Sequence, residues 1–130
     1  MTATASSFGL SRIHQIAVVV HDIPRAVAFY RDVLGMTLLF EFPPQLALFD
    51  CAGVRLMLSL PSEPKYDHPG SILYYHVPDI QEAVRELQAR GLVFEHEPRV
   101  LGKLPAADVW GAFFKDPDDN VLALMSEVPR

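Results

Sequence analysis

An internal repeat is the feature of this sequence that most constrains its fold. Residues 22–27 (DIPRAV) recur 57 positions later as residues 79–84 (DIQEAV). Each copy follows an apolar run that ends in valine, and each leads into a helical pattern closed by Gly35 or Gly91. Self-similarity at a fixed spacing indicates one supersecondary unit used more than once. We therefore predict two copies of a unit of about 55–60 residues.

The first copy has the pattern of a strand, a helix and three further strands. Residues 13–20 are β-branched and apolar, which is typical of a strand. Asp22 is placed to cap a helix, Pro24 is tolerated in the first helical turn, and Gly35 suits the helix end. Turn-forming dipeptides then separate three predicted strands, which are 36–42, 46–51 and 54–60.

The second copy repeats this order after a proline-rich linker at 61–70. A strand at 71–77 precedes a helix whose start, Asp79 with Glu82, resembles a capping box. The long stretch 98–107 is expected to be irregular, either a lid or a plain connection. The sequence therefore predicts the order βαβββ twice, and the three remaining strands are expected at 92–97, 108–114 and 121–126.

Composition limits the classes of protein to which the chain can belong. With 130 residues, half of them apolar and 21% charged, it fits one globular domain. The formal net charge of −5 argues against non-specific binding to nucleic acid. The single cysteine, Cys51, cannot form an intrachain disulfide. No apolar run is long enough for a bilayer and no signal peptide begins the chain, so we expect a cytoplasmic protein without membrane contact.

The predicted boundaries follow from these patterns. Residues 1–11 are mostly small and are expected to form a flexible tail. Residues 12–128 are expected to form one domain, composed of the first unit at 12–60, the linker at 61–70 and the second unit at 71–128.

Two segments carry a resemblance to a known family. The residues DI…AFYRD…LG between 22 and 35, and FKDPD…N between 114 and 120, resemble the vicinal oxygen chelate superfamily, which includes glyoxalases, bleomycin-resistance proteins and extradiol dioxygenases. The resemblance implies an α+β fold in which two βαβββ repeats form a cup-shaped, curved mixed sheet with helices on the outside. It also implies a small-molecule ligand in the cup, and a homodimer. Asp119 replaces the glycine that is usual in the family's turn, and aspartate tolerates the left-handed conformation needed there.

The resemblance also indicates where a metal ion would bind. The four metal-ligand positions of the family fall on Gln15, Met57, Ile72 and Ala123. Only Gln15 has a suitable ligand atom, so we predict no metal and no other cofactor. Strand alternation turns His14 to the opposite face, and His76 lies four residues, about 13 Å, beyond Ile72 along its strand.

Candidate ligand-binding residues come from the mixed faces of the predicted strands. Arg55 suits a carboxylate or phosphate, or alternatively a salt bridge at the rim. His76 is a candidate general base, or a hydrogen-bonded structural residue. Tyr74 and Trp110 suit stacking on an aromatic ligand, or ordinary core packing. The full set of candidates is Gln15, Arg55, Met57, Tyr74, His76, Trp110 and Ala123.

The resulting hypothesis is a metal-independent small-molecule-binding protein with its ligand in the cup of the sheet. The alternative is a metal-dependent glyoxalase-like lyase or dioxygenase with shifted ligands, in which Gln15 and His76 hold the ion. An enzyme without metal that uses His76 as its base lies between these two. A fourth hypothesis is an interaction module whose sheet serves only as a dimer platform. Whether the chain is an enzyme is left open by the sequence.

Overall fold

The computed structural model describes residues 8–130, so most of the predicted tail at 1–11 lies outside the described residues. Eight strands and two helices occur in them in the predicted order. The strands are β1 (Gln15–Val19), β2 (Thr37–Phe42), β3 (Leu46–Cys51), β4 (Val54–Ser59), β5 (Leu73–His76), β6 (Arg99–Lys103), β7 (Ala107–Lys115) and β8 (Val121–Pro129). The helices are α1 (Ile23–Val27), which continues as a π-helical segment Ala28–Val33, and α2 (Ile80–Ala89).

The strands form two mixed sheets of four, one from each repeat. The first sheet has the order β1-β4-β3-β2 and the second has the matching order β5-β8-β7-β6. In each sheet the first strand of the repeat pairs in parallel with the last one, and the other neighbours are antiparallel. This arrangement confirms the predicted α+β class and the two βαβββ repeats.

Both predicted helix caps are present. The Asp22 carboxylate accepts a hydrogen bond from the Arg25 amide at 3.0 Å, and the Asp79 carboxylate accepts one from the Glu82 amide at 3.1 Å. These bonds satisfy amide groups that have no partner in the first helical turn. The repeated aspartate therefore starts the helix in each unit, as its position in the sequence predicted.

One face of each sheet packs into a single hydrophobic core. Alternate residues of the strands are buried against the helices, and the residues between them are not part of this core. The helices therefore lie on the outer side of each sheet, and the opposite, open face points away from the core. The largest core side chains without solvent exposure are Tyr30, Phe49, Phe114, Ile23, Leu58, Leu122 and Val20.

Tyr30 and Asp116 connect the two repeats through a buried hydrogen bond. The Tyr30 hydroxyl donates to Asp116 Oδ2 at 2.8 Å, and its ring contacts Phe49 of the first sheet. Burial, together with the adjacent Asp116 carboxylate, raises the pKa of Tyr30 far above its ordinary value. Asp116 also accepts hydrogen bonds from the Asp118 amide and from both the amide and the side chain of Asn120, each at 2.9 Å. The turn between β7 and β8 is thereby fixed against α1.

The same turn is tied to the end of β1. The Asn120 side chain donates to the Val19 carbonyl at 2.9 Å. The His21 ring lies between two carboxylates, 2.8 Å from Asp67 and 2.9 Å from Asp118. Its hydrogen bonds, first to Asp67 and then to Asp118, raise the pKa of His21. Asp119 has φ of 65°, so it adopts the left-handed conformation expected of the residue that replaces glycine.

The region before β7 differs from the prediction. Residues 92–97 were expected to form a strand, but only Phe94 forms an isolated bridge, opposite Phe114. The strand is instead β6, which lies in the stretch 98–107 expected to be a lid or a connection. All five residues of β6, an edge strand, are exposed. A strand that is exposed on both faces lacks the alternation of apolar and polar residues that marks a strand in sequence. Only the pairing with β7 therefore defines β6.

No helix among residues 8–130 combines the length and the apolar character required to cross a bilayer.

Candidate functional site

A polar cluster occupies the open face of the first sheet. Gln15 of β1 lies opposite Arg55 of β4 in the parallel register, so both side chains leave the same face. The Arg55 Nε donates to Gln15 Oε1 at 3.1 Å, and Gln15 Nε2 lies 3.7 Å from the sulfur of Met57. The structure therefore brings together three of the predicted ligand-binding residues.

His14 joins this cluster, contrary to the alternation argument. Arg55 Nη2 lies 3.3 Å from His14 Nε2, and guanidinium has only donors, so the imidazole nitrogen is the acceptor. The prediction that His14 points to the opposite face was wrong. His14 precedes the first residue of β1, where the alternation of the strand does not yet fix the direction of a side chain.

The donor set does not suit a divalent metal ion. Of the four family positions, Met57, Ile72 and Ala123 offer no nitrogen or oxygen in the side chain. The one suitable oxygen, Oε1 of Gln15, already accepts from a guanidinium. A metal ion there would lie beside a permanent positive charge, which opposes its binding. Among residues 8–130, no group of three or more His, Cys, Asp or Glu side chains is arranged to hold a metal.

The open face of the second sheet is aromatic. Ala123 of β8 lies between Tyr74 on one neighbouring strand and Phe113 on the other. These two rings pack edge to face, with centroids 5.8 Å apart, and they cover Ala123, which has no exposed surface. The His96 ring packs on the other side of Phe113 at 5.7 Å. A ligand on this face would therefore contact the rings of Tyr74 and Phe113 rather than Ala123.

His96 has an unpaired nitrogen within this aromatic cluster. Its Nδ1 lies 2.7 Å from the Glu97 carbonyl and must be the donor, because a carbonyl oxygen can only accept. Nε2 is buried and has no hydrogen-bond partner among the described residues. His96 could not be selected from its sequence position, because its direction depends on contacts with β7 that are not local in the chain.

A groove of about 190 Å³ joins Arg55 to Tyr74. The rest of its lining is mostly aliphatic, with Ile13, Ile16, Val54, Leu56 and Leu73, and is completed by Cys51 and Tyr75. The groove therefore combines a cation, a phenol ring and hydrocarbon walls. This composition is typical of sites for small organic molecules, although the volume is below that of most enclosed pockets.

His76 and Trp110 lie elsewhere. His76 borders a separate cavity of about 330 Å³ between α2 and the segment that follows the π-helix. Tyr75 lines both that cavity and the groove, and its buried hydroxyl has no partner among the described residues. Trp110 is paired with Ser126 and packs against the core, on the helix side of its sheet. The structure therefore does not bring His76 or Trp110 to the groove of Arg55.

Exposed aromatic residues extend the open face of the first sheet. Phe40 and Phe42 stack with centroids 6.3 Å apart, and they are 52% and 55% exposed. Leu39, at the irregularity in the pairing of β2 with β3, is 53% exposed. Contiguous apolar surface of this kind marks a binding or association surface. Sequence analysis missed Phe40, Phe42 and Phe113, although alternation with their buried neighbours was a usable signal for Phe113.

Comparisons with known proteins agree with this architecture. Residues 12–124 match the family model described as "Glyoxalase/Bleomycin resistance protein/Dioxygenase superfamily". The uncharacterized protein YraH of Bacillus subtilis (strain 168) is 26% identical over 126 residues, which cover 87% of this chain and 96% of YraH.

Solved structures give the same result. TnmS3, an antibiotic binding protein from Streptomyces sp. CB03234, has a TM-score of 0.72 and 25% identity, with 92% of this chain and 98% of that chain covered. Lactoylglutathione lyase from Agrobacterium tumefaciens has a TM-score of 0.76 and 24% identity, with coverage of 91% and 95%. The similarity to the lyase shows a shared fold and nothing more.

Proposed function

The chain belongs to the glyoxalase/bleomycin resistance protein/dioxygenase superfamily, and on this premise we propose that it binds a small organic molecule without the help of a metal ion. The ligand lies on the open sheet faces, with Arg55 as the polar contact and Tyr74 as the aromatic contact. A second copy of the chain covers the site.

One observation carries the metal-independent part of this proposal. Gln15 Oε1 is the only side-chain oxygen at the four family positions, and it accepts a hydrogen bond from the Arg55 guanidinium at 3.1 Å. Three of the four positions offer no oxygen or nitrogen ligand, and the fourth adjoins a cation. The chemistry of these side chains therefore supports binding by hydrogen bonds and apolar contact. The antibiotic-binding activity of TnmS3 offers a precedent for binding in the same superfamily.

Two features support a homodimer. The groove between Arg55 and Tyr74 is about 190 Å³, whereas pockets that enclose an organic ligand are roughly 300–1,000 Å³. A single chain also leaves Phe40 and Phe42 about half exposed on the face that borders the site. A second copy placed against this face would bury the aromatic side chains and enclose the ligand, and burial of apolar area favours association.

The metal-independent proposal predicts the response of the melting temperature. Nickel, cobalt, zinc, manganese and iron(II) should leave the melting temperature unchanged, since no site favours the folded protein. An aromatic ligand at a hundred times its Kd should stabilise the fold by about 2.7 kcal/mol and raise that temperature. Thermal shift with a panel of neutral and anionic aromatic compounds measures both effects, with and without chelator, alongside metal content by plasma mass spectrometry.

The alternative function makes the opposite prediction. Near-unit metal content together with a metal-dependent rise in melting temperature would contradict the proposal. That result would favour a lyase or dioxygenase with shifted ligands. Indifference to the whole panel of compounds would instead favour an interaction module.

The homodimer is tested by a charge placed in the exposed aromatic surface. The double variant Phe40→Glu, Phe42→Glu should weaken self-association at least about tenfold, because burying two unpaired carboxylates is costly. Sedimentation velocity over a concentration series measures the dissociation constant. Val93→Glu is the matched control, because Val93 is 83% exposed and lies outside the strands. Equal dissociation constants for the double variant and the wild type would contradict this interface, and a monomeric wild type would contradict the homodimer.

A further inference from the structure

We infer that Arg55 is the anion-binding group of the site and that the ligand is an aromatic carboxylate. This inference rests on the proposed function, because it names the class of ligand for the same groove. It is carried by the placement of the guanidinium, its lack of an acidic partner and the ring of Tyr74 that borders the same groove.

The guanidinium is held in place before any ligand arrives. Its Nε donates to Gln15 Oε1 at 3.1 Å, and Nη2 lies 3.3 Å from His14 Nε2. Arg55 itself is partly buried, and its register with Gln15 fixes where its side chain leaves the sheet. A planar donor group that is already oriented loses little conformational freedom on binding.

Arg55 forms no ion pair with an acidic side chain of the described residues. Asp50 is its neighbour in the register of β3 and β4, but the Asp50 carboxylate accepts from the Gly53 amide at 3.2 Å. The sequence-based alternative for Arg55, a salt bridge at the rim, is therefore not what the described residues form. A partly buried cation without an acid favours an anionic ligand.

The free edge of the guanidinium determines the kind of anion. Nη1 has no acceptor among the described residues, so it and the second N–H of Nη2 can donate in parallel to two oxygens. A carboxylate presents two oxygens in one plane and carries one negative charge, which matches a single guanidinium. The net charge of −5 repels anions in general, so such selectivity would arise locally at Arg55.

The walls of the groove determine the rest of the ligand. Tyr74 is 47% exposed and its ring is supported from the side by Phe113. Ile13, Val54 and Leu73 line the same groove and offer only hydrocarbon. An aromatic ring attached to the carboxylate would contact Tyr74 and these side chains while its charge contacts Arg55.

Calorimetric titration with two probes of equal shape tests the inference. The probes are 2-naphthoate and 2-naphthamide, which differ by the charge of one group. Wild-type protein should bind the naphthoate roughly ten- to a hundredfold more tightly, as expected for a hydrogen-bonded charged pair. Arg55→Gln should abolish this preference and leave the affinity for the amide within about threefold. Arg55→Lys, which keeps the charge and loses the planar fork, should give an intermediate preference.

Two controls separate this inference from the proposed function. Arg85→Gln removes the same charge from an exposed position on α2 and should retain the preference for the naphthoate. Urea unfolding of Arg55→Gln checks that the variant is folded. Equal affinity of wild-type protein for the two probes would overturn the inference while the proposed function stands. Binding of neither probe would also overturn it, and the thermal-shift panel would then decide the proposed function independently.

Discussion

Asp116→Ala should lower the free energy of unfolding by about 3–5 kcal/mol. Asp116 is 4% exposed, and its carboxylate accepts four hydrogen bonds, from Tyr30, from the Asp118 amide and twice from Asn120. Alanine would leave the buried Tyr30 hydroxyl and the partly buried amides of Asp118 and Asn120 without this acceptor, which costs more than the loss of the bonds alone. Because domains of this size are stable by only about 5–15 kcal/mol, the change is a large fraction of the total.

Urea unfolding of Asp116→Ala and of Tyr30→Phe provides the test. Tyr30→Phe removes one hydroxyl and one hydrogen bond and should cost about 1–2 kcal/mol. The double variant should lose less than the sum of the two single variants, because the first change already breaks the bond that they share. A loss below about 1 kcal/mol for Asp116→Ala would show that the β7–β8 turn does not depend on this carboxylate.

Phe114→Ala should cost about 3–5 kcal/mol in the free energy of unfolding. Phe114 has no exposed surface and packs edge to face with Phe94, at a centroid distance of 5.5 Å. Truncation removes the transfer energy of the ring and leaves a cavity in the core that the two repeats share. The same urea titration measures the loss.

Phe113→Ala is the matched control, since it removes the same side chain from the adjacent position. Phe113 is partly exposed and lies on the open face, where it contacts Tyr74 and His96. We expect Phe113→Ala to lower the free energy of unfolding by less than half as much as Phe114→Ala does. We also expect it to weaken the binding of any ligand that contacts Tyr74. If both variants lost the same stability, the assignment of the two faces of β7 would be wrong.

Much of the fold followed from local sequence patterns. The two aspartates that precede the helices were assigned as caps from their position, and both accept the expected amide. The left-handed residue of the β7–β8 turn was assigned to Asp119, which has φ of 65°. These features depend on residues a few positions apart, so their chemistry is visible in a short window of sequence.

The position of strand β6 could not be predicted from a short window of sequence. The apolar residues at 92–97 suggested a strand, yet the ladder with β7 forms after Pro98, at Arg99–Lys103. Leu101 there packs so close to Gly111 that an added Cβ would clash with its side chain. Pairing partners decide the position of an edge strand, and they are distant in sequence.

The sequence by itself determined the repeated βαβββ order and the helix starts, which depend on residue type and near-neighbour spacing. The lack of metal ligands at three of the four family positions was read from residue types at positions that the resemblance indicated. Only the tertiary structure decided that Arg55 is held by Gln15 and His14, with no acidic partner among residues 8–130, and that Trp110 packs against the core. Those properties depend on the register between β1 and β4 and on which face of β7 meets the helices. Such long-range geometry is set by the burial of the whole core rather than by any local pattern.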